Sequence, residues 1–308
     1  MTSTCLKIIA LVIMTIDHIG AYFPDMPIWL RWIGRIAAPL FFFCSAQGIV
    51  HTRDKRRYLC RLWTASIIQT LLDSAFVPFA NAVFDIKLGG VNNNIFLTIF
   101  LGTLISAILE SSKNDSRKRT DMLFRFISYQ VILYMLNAVI DSYGIFSSLR
   151  EIPVLCNWKR IVFTALGSFQ FMEYPLIVML SIVLFYVCKD SKKKLSICYS
   201  VYCLIYFLLF VPELGVRAAQ LVENSGMNTI ASRLVLLPFN ILGITTVGTP
   251  VRFKLSLLYG NYQWMMIFSL PFMLAYNGKK GKGLKGIFYI YYPVHIMLFM
   301  IIGNLGNC

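Results

Sequence analysis

Apolar residues occupy this chain in long blocks separated by short charged stretches, the period of a chain built from membrane-crossing helices rather than from amphipathic elements around a soluble core. Scanned with a window of about 19 residues, the blocks fall near Cys5–Phe23, Ile28–Val50, Leu59–Phe79, Ile95–Leu109, Met122–Tyr143, Phe171–Cys188, Leu195–Pro212, Gln263–Tyr276 and Ile287–Gly303. At roughly 20 residues per crossing they predict an all-α, polytopic integral membrane bundle of about nine or ten transmembrane helices. The stretch Thr229–Val247 is apolar enough to enter a bilayer, but Arg233, Pro238, Asn240 and Gly243 interrupt it. It reads as re-entrant or interfacial, and whether it crosses is open at this stage.

Composition agrees with the pattern: of 308 residues, 57% are hydrophobic and 14% charged, proportions that exclude a soluble domain. The first block has no small-residue cleavage site and carries an Asp-His pair, so it reads as a retained span and not a signal peptide. Orientation comes from the basic loops. Arg53, Lys55, Arg56, Arg57 and Arg61 follow the second block, and Lys113, Arg117, Lys118 and Arg119 follow the fourth. Lysine clusters at 189–194 and 279–285 complete the set. The positive-inside rule places all four in the cytoplasm, with the N-terminus. The net charge of +15 is therefore a topology signal, aided by anionic lipid headgroups, and does not indicate nucleic acid. The 8 cysteines lie at irregular spacing without a paired C-x-x-C, so neither a metal site nor a disulfide framework is expected. An aromatic content of 15% suits interfacial belts.

Ionisable groups inside a span are costly and mark functional sites by default. Asp17 and His18 stand side by side in the first block, and Lys7 lies eleven positions before His18. At 100° per residue that spacing returns to nearly the same helix face, roughly 16 Å along the axis. Histidine gains and loses a proton near neutrality, which makes His18 the candidate general base. Asp17 cannot orient it by side-chain contact, because neighbouring residues point about 100° apart. Asp17 is expected instead to pair with Arg35, which enters the second block at matching depth, while Asp73 or Asp141 could orient His18. Lys7, at the cytoplasmic boundary, could hold an anionic headgroup as a point charge, and Arg35 offers a planar fork for phosphate or an oxyanion. Asp73, Asn94, Thr98 and Asp141 fall in the same outward half, which suggests a polar chamber opening outside. His295 lies nearer the midplane, with Tyr292 three residues before it on the same face. Structural readings compete: a buried Asp17–Arg35 pair, a snorkelling Lys7, a helix-bonding His295, a solvated His51, and ordinary interfacial charges at Asp73 and Asp141.

The segments LKIIALVIMTIDHIG (Leu6 to Gly20), RWIGRIAAPLFFF (Arg31 to Phe43), NIFLTIFLG (Asn94 to Gly102) and YNGKKGKGLKGIFYIYYPVHI (Tyr276 to Ile296) resemble the TraX family, named for the F pilin acetylase. The resemblance covers roughly the first 110 residues and the last 45, and leaves 111–260 as a divergent region within a single domain of 1–308. It implies an integral-membrane acyltransferase of the bacterial cell membrane that takes an acetyl group from cytoplasmic acetyl-CoA. It does not fix the acceptor: a pilin or peptide amine, a glycan hydroxyl and a lipid-linked intermediate stay open. The first span is also similar to that of the wider transmembrane acyltransferase superfamily, in which a basic residue, ten intervening positions and a histidine recur. Lys7 and His18 match that spacing with lysine in place of the commoner arginine. The resemblance thus implies that His18 activates the acceptor nucleophile while basic groups at the cytoplasmic end hold the donor; together with the residue reading, His18 and Asp17 are the catalytic candidates, Lys7 and Arg35 the donor-binding candidates, and no metal is expected.

Two other classes remain open. A transporter or flippase for a polar or lipid-linked substrate would also bury Asp, His and Arg along a pathway, although no internal repeat supports it. A structural assembly factor would tolerate replacement of His18.

Overall fold

The computed structural model of the protein describes residues 1–84, 88, 94–144, 157–283 and 285–305, without the side chains of 229, 230 and 285. Cys156 and Cys308 lie outside them. Every regular element among the described residues is helical. Six helical stretches are long and apolar enough to cross a membrane: Ser3–Tyr22, Trp29–His51, Lys55–Phe84, Ser116–Ser142, Lys192–Asn224 and Gly286–Leu305. Three shorter apolar helices, Ile95–Ser111, Leu176–Val187 and Ala231–Leu242, accompany them.

The chain divides into two compact units. The first comprises Met1–Ala21, Asp25–Cys44 and Pro175–Gly283. It contains α1 (Ser3–Tyr22), α2 (Trp29–Gly34) and most of α3 (Ala37–His51). The second unit takes in Tyr22–Pro24 and the end of α3 and includes α4 (Lys55–Phe84), α5 (Ile95–Ser111), α6 (Ser116–Ser142) and α7 (Trp158–Ala165). The chain then returns to the first unit through α8 (Leu176–Val187), α9 (Lys192–Phe210), α10 (Leu214–Asn224), α11 (Thr229–Leu242), α12 (Phe253–Leu255) and α13 (Leu270–Leu274). The last helix, α14 (Lys285–Leu305), belongs to the second unit.

Helix starts follow local chemistry. Asn94, Asp115, Ser191 and Asn228 each accept a hydrogen bond from the backbone N–H three residues on, satisfying a donor that the first turn would leave orphaned. In the first unit, Tyr199 on α9 is fully buried, and its hydroxyl reaches Met266 O and Ser269 Oγ at 3.0 Å each. Phe43, Phe185 and Tyr276 form edge-to-face pairs in the same core. In the second unit α4 packs on α5 and α7 around Leu97, Leu101 and Phe163. The exposed flank of α6 is apolar, with Phe124, Ile127, Val131, Ile132 and Met135 in the open, the surface a lipid-facing helix presents.

One expected span is corrected. Gln263–Tyr276 is not a regular crossing helix: it is a 3₁₀ stretch, Tyr262–Ser269, followed by the five residues of α13. A π turn at Ser256–Gly260 precedes it. Pro271 has no N–H to continue an α ladder, and the preceding 3₁₀ winding brings Gln263 against α2. Phe171–Cys188 is likewise shortened to the 12 residues of α8.

Candidate functional site

In the first unit the polar centre is built around Asp17, which is buried on α1. Its Oδ1 accepts from Arg35 Nη2 at 2.5 Å, and its Oδ2 lies 3.0 Å from Arg31 Nη1. Arg31 Nη1 also donates to the Asp17 carbonyl at 3.0 Å. Arg35 also donates from Nη1 to Gln263 Oε1 and from Nε to Arg31 O, both at 3.1 Å, and its guanidinium stands 5.4 Å from the centre of the Tyr262 ring. The Asp17–Arg35 pairing expected from depth is present. Arg31 and Gln263 were not anticipated. Two arginines share one carboxylate here.

Gly34 makes this corner possible. A Cβ there would sit 2.0 Å from Asp17 Oδ1 and 2.3 Å from Asp17 Cγ, so the carboxylate occupies the volume that any side chain at 34 would fill. Gly20 lets α1 approach α2 in the same way, a Cβ there falling 2.9 Å from Leu30 Cβ. The RWIGR sequence is thus a docking surface for the Asp17 carboxylate, with Arg31 and Arg35 one helical turn apart around the glycine.

Lys7 and His18 lie on the same continuous helix, Ser3–Tyr22, and both are partly exposed. The absence of a break within α1 preserves their eleven-residue spacing as a shared face.

The second unit has its own buried polar cluster. Asp73 on α4 is 4% exposed; its Oδ2 accepts from Arg160 Nη2 at 3.2 Å and its Oδ1 from Gln69 Nε2 at 2.8 Å. The expectation that Asp73 is an ordinary interfacial charge is therefore corrected: it is a buried ion pair with α7. Asp141 does keep partial exposure, at 47% of its side chain, and holds Lys159. Asn94 is fully buried, its carbonyl capping α5 and its amide donating to Ser66 O at 2.9 Å and Thr70 Oγ1 at 2.7 Å. Thr98 Oγ1 accepts the Tyr174 N–H at 3.4 Å. Tyr292 donates to Glu173 Oε2 at 2.7 Å, and His295 Nδ1 lies 2.7 Å from Tyr291 O with its ring edge-on to Tyr292. Arg160, Glu173 and Gln69 were not identified from sequence. The available signal was the presence of Arg160 and Glu173 on either side of a short apolar run.

The TraX protein family matches residues 2–211. The match continues through Ser111–Val211, where little family pattern was evident from sequence, and stops short of the Tyr276–Ile296 segment. A relative in Dichelobacter nodosus, "Probable fimbrial assembly protein FimC, serogroup H1", is 22% identical over 302 residues, covering 95% of this chain and 92% of the relative. "Uncharacterized protein RP591" of Rickettsia prowazekii (strain Madrid E) is 38% identical over 85 residues, covering 27% of this chain and 33% of that protein. No solved structure matches. With two-thirds of its length matched, the chain belongs to the TraX family.

Proposed function

We propose that this protein is an integral-membrane acyltransferase that moves an acetyl group from cytoplasmic acetyl-CoA to a pilin, peptide or glycan acceptor on the far side of the bacterial cell membrane. The observation that carries the reading is the first helix. It is continuous over Ser3–Tyr22, and the chain it opens belongs to the TraX family. Lys7 and His18 share one face of it, roughly 16 Å apart. The name of the Dichelobacter nodosus relative supports an acceptor among fimbrial components.

In this mechanism the N-terminus is cytoplasmic, Lys7 draws in a donor phosphate, and the pantetheine arm runs along α1 toward His18. His18 takes the proton of the acceptor amine or hydroxyl as that group attacks the thioester carbonyl. The carbonyl oxygen gains charge, the C–S bond then breaks, and the thiolate of CoA leaves. Asp17 acts through Arg31 and Arg35, fixing their orientation, and the two guanidinium groups supply donors that suit a developing oxyanion.

The name of that relative also fits an assembly factor without catalysis. The experiment that separates the two is mass spectrometry of surface polymers and secreted peptides from cells with and without the protein. The acyltransferase reading predicts an acetyl mass difference on one of them, and identical spectra would refute it.

A further inference from the structure

The segment Asn277–Gly283 carries Lys279, Lys280 and Lys282 and no acidic residue, and all of it is exposed. Cytoplasmic lysines alone would need no particular backbone path. This one has one. The N–H of Asn277 donates to Met1 O at 2.9 Å, while Ser3 N–H and Thr4 N–H donate to Lys279 O and Lys280 O at 2.9 and 3.0 Å. Thr4 Oγ1 lies 2.9 Å from Lys280 O and 2.7 Å from Lys282 O. The loop is strapped across the start of α1 by three consecutive or near-consecutive carbonyls. Gly281, at φ +79°, permits the close passage, since a Cβ there would fall 2.6 Å from Thr2 Oγ1.

The strap fixes what faces the other way. No peptide bond in the described chain is cis, and in a trans peptide the C=O and the following N–H point in opposite directions. With the carbonyls of Lys279, Lys280 and Lys282 turned onto α1, the N–H groups of Lys280, Gly281 and Gly283 turn outward. Among the described residues none of the three donates to the protein. A short run of outward N–H groups amid lysine side chains offers donors to phosphate oxygens. Lys7 lies one turn below Ser3 on the same face, so the array stands at the head of the Lys7–His18 line.

We propose that the Asn277–Gly283 loop is the clamp for a polyphosphorylated nucleotide, the adenosine 3′-phosphate and diphosphate end of the acetyl donor. Three outward N–H groups and three lysines set on the start of α1 form it. The assignment rests on the acyltransferase reading for the ligand's identity, but binding tests it without any turnover.

The test is direct binding of coenzyme A and of dephospho-coenzyme A, which lacks the 3′-phosphate, to the full chain in zwitterionic phosphatidylcholine nanodiscs. Coenzyme A should bind at least about tenfold more tightly than the dephospho form, the scale of one charge-assisted contact. K279Q, K280Q and K282Q should each weaken coenzyme A binding and shrink that preference, whereas K279R, K280R and K282R should retain it. The ligand-side comparison needs no variant to fold. Equal binding of the two compounds by the parent would overturn the clamp. So would unchanged affinity in the lysine variants, or an effect of the variants seen only with phosphatidylglycerol in the disc, which would make the loop an anchor for anionic lipid. A parent that binds coenzyme A through these lysines but never transfers acetyl would keep the clamp and remove the acyltransferase reading. Transfer with undiminished affinity in the lysine variants would do the reverse.

Discussion

Asp17 lies in the space that Gly34 leaves empty: a single added carbon at residue 34 would stand 2.0 Å from the carboxylate oxygen that holds Arg35. The ion pair and the glycine are one device, in which the missing side chain sets the depth of the carboxylate and the carboxylate sets the arginine forks. The strongest structural predictions concern this corner.

Gly34→Ala should force Asp17 out of its seat. Overpacking of a tight contact costs about 1–3 kcal/mol, so the thermal unfolding midpoint in detergent should fall and the yield of monodisperse protein should drop. An unchanged midpoint would show that α1 and α2 can separate freely here.

Asp17→Asn should cost more, about 3–5 kcal/mol, because it leaves two guanidinium groups beside a neutral amide. The double change Asp17→Leu/Arg35→Met should recover a measurable part of that loss, since it removes one of the two guanidinium groups that lose their carboxylate, with Arg31 remaining. Arg35→Lys should resemble the single loss, because one ammonium cannot reach Asp17, Gln263 and Arg31 O together as the guanidinium does. Strict additivity in the cycle closed by the single changes Asp17→Leu and Arg35→Met would show that the two side chains do not act as a pair.

Much of this corner was legible in the sequence because charged residues in apolar runs are few and their depth can be counted. Asp17 and Arg35 met that test. Arg31 did not, since it stands four residues nearer the start of the same block and was not singled out there. Gln263 was hidden by the assumption that Gln263–Tyr276 is a straight α-helix, whereas 3₁₀ winding turns that side chain toward α2. The cluster around Asp73 was harder still. Arg160 sits on the 8-residue α7, too short for any membrane-length window to register, and Glu173 follows a three-residue 3₁₀ turn. Their partners are set by tertiary packing and carry no periodic signal.

Topology has a simple readout. With the N-terminus inside, a membrane-impermeant thiol reagent on intact cells should spare a single-cysteine variant at Cys60, which is exposed on α4 beside the basic loop. It should label variants at Cys156 and Cys308. Labelling of Cys60 with protection of Cys308 would invert the orientation.

Donor binding by Lys7 predicts a split in kinetics. Lys7→Ala should raise the apparent KM for acetyl-CoA more than it lowers kcat, and Lys7→Arg should keep most of the activity because the charge remains. Equal donor KM in Lys7→Ala and the parent would reduce Lys7 to an interfacial anchor.

The most direct measurement is acetyl transfer by His18→Gln in proteoliposomes, beside a check of its insertion and coenzyme A binding. Glutamine keeps polarity and approximate size but cannot accept the proton. Insertion and donor binding should therefore survive while transfer falls by at least about 100-fold. Full transfer by a correctly inserted His18→Gln protein would contradict the assignment of His18 as the base.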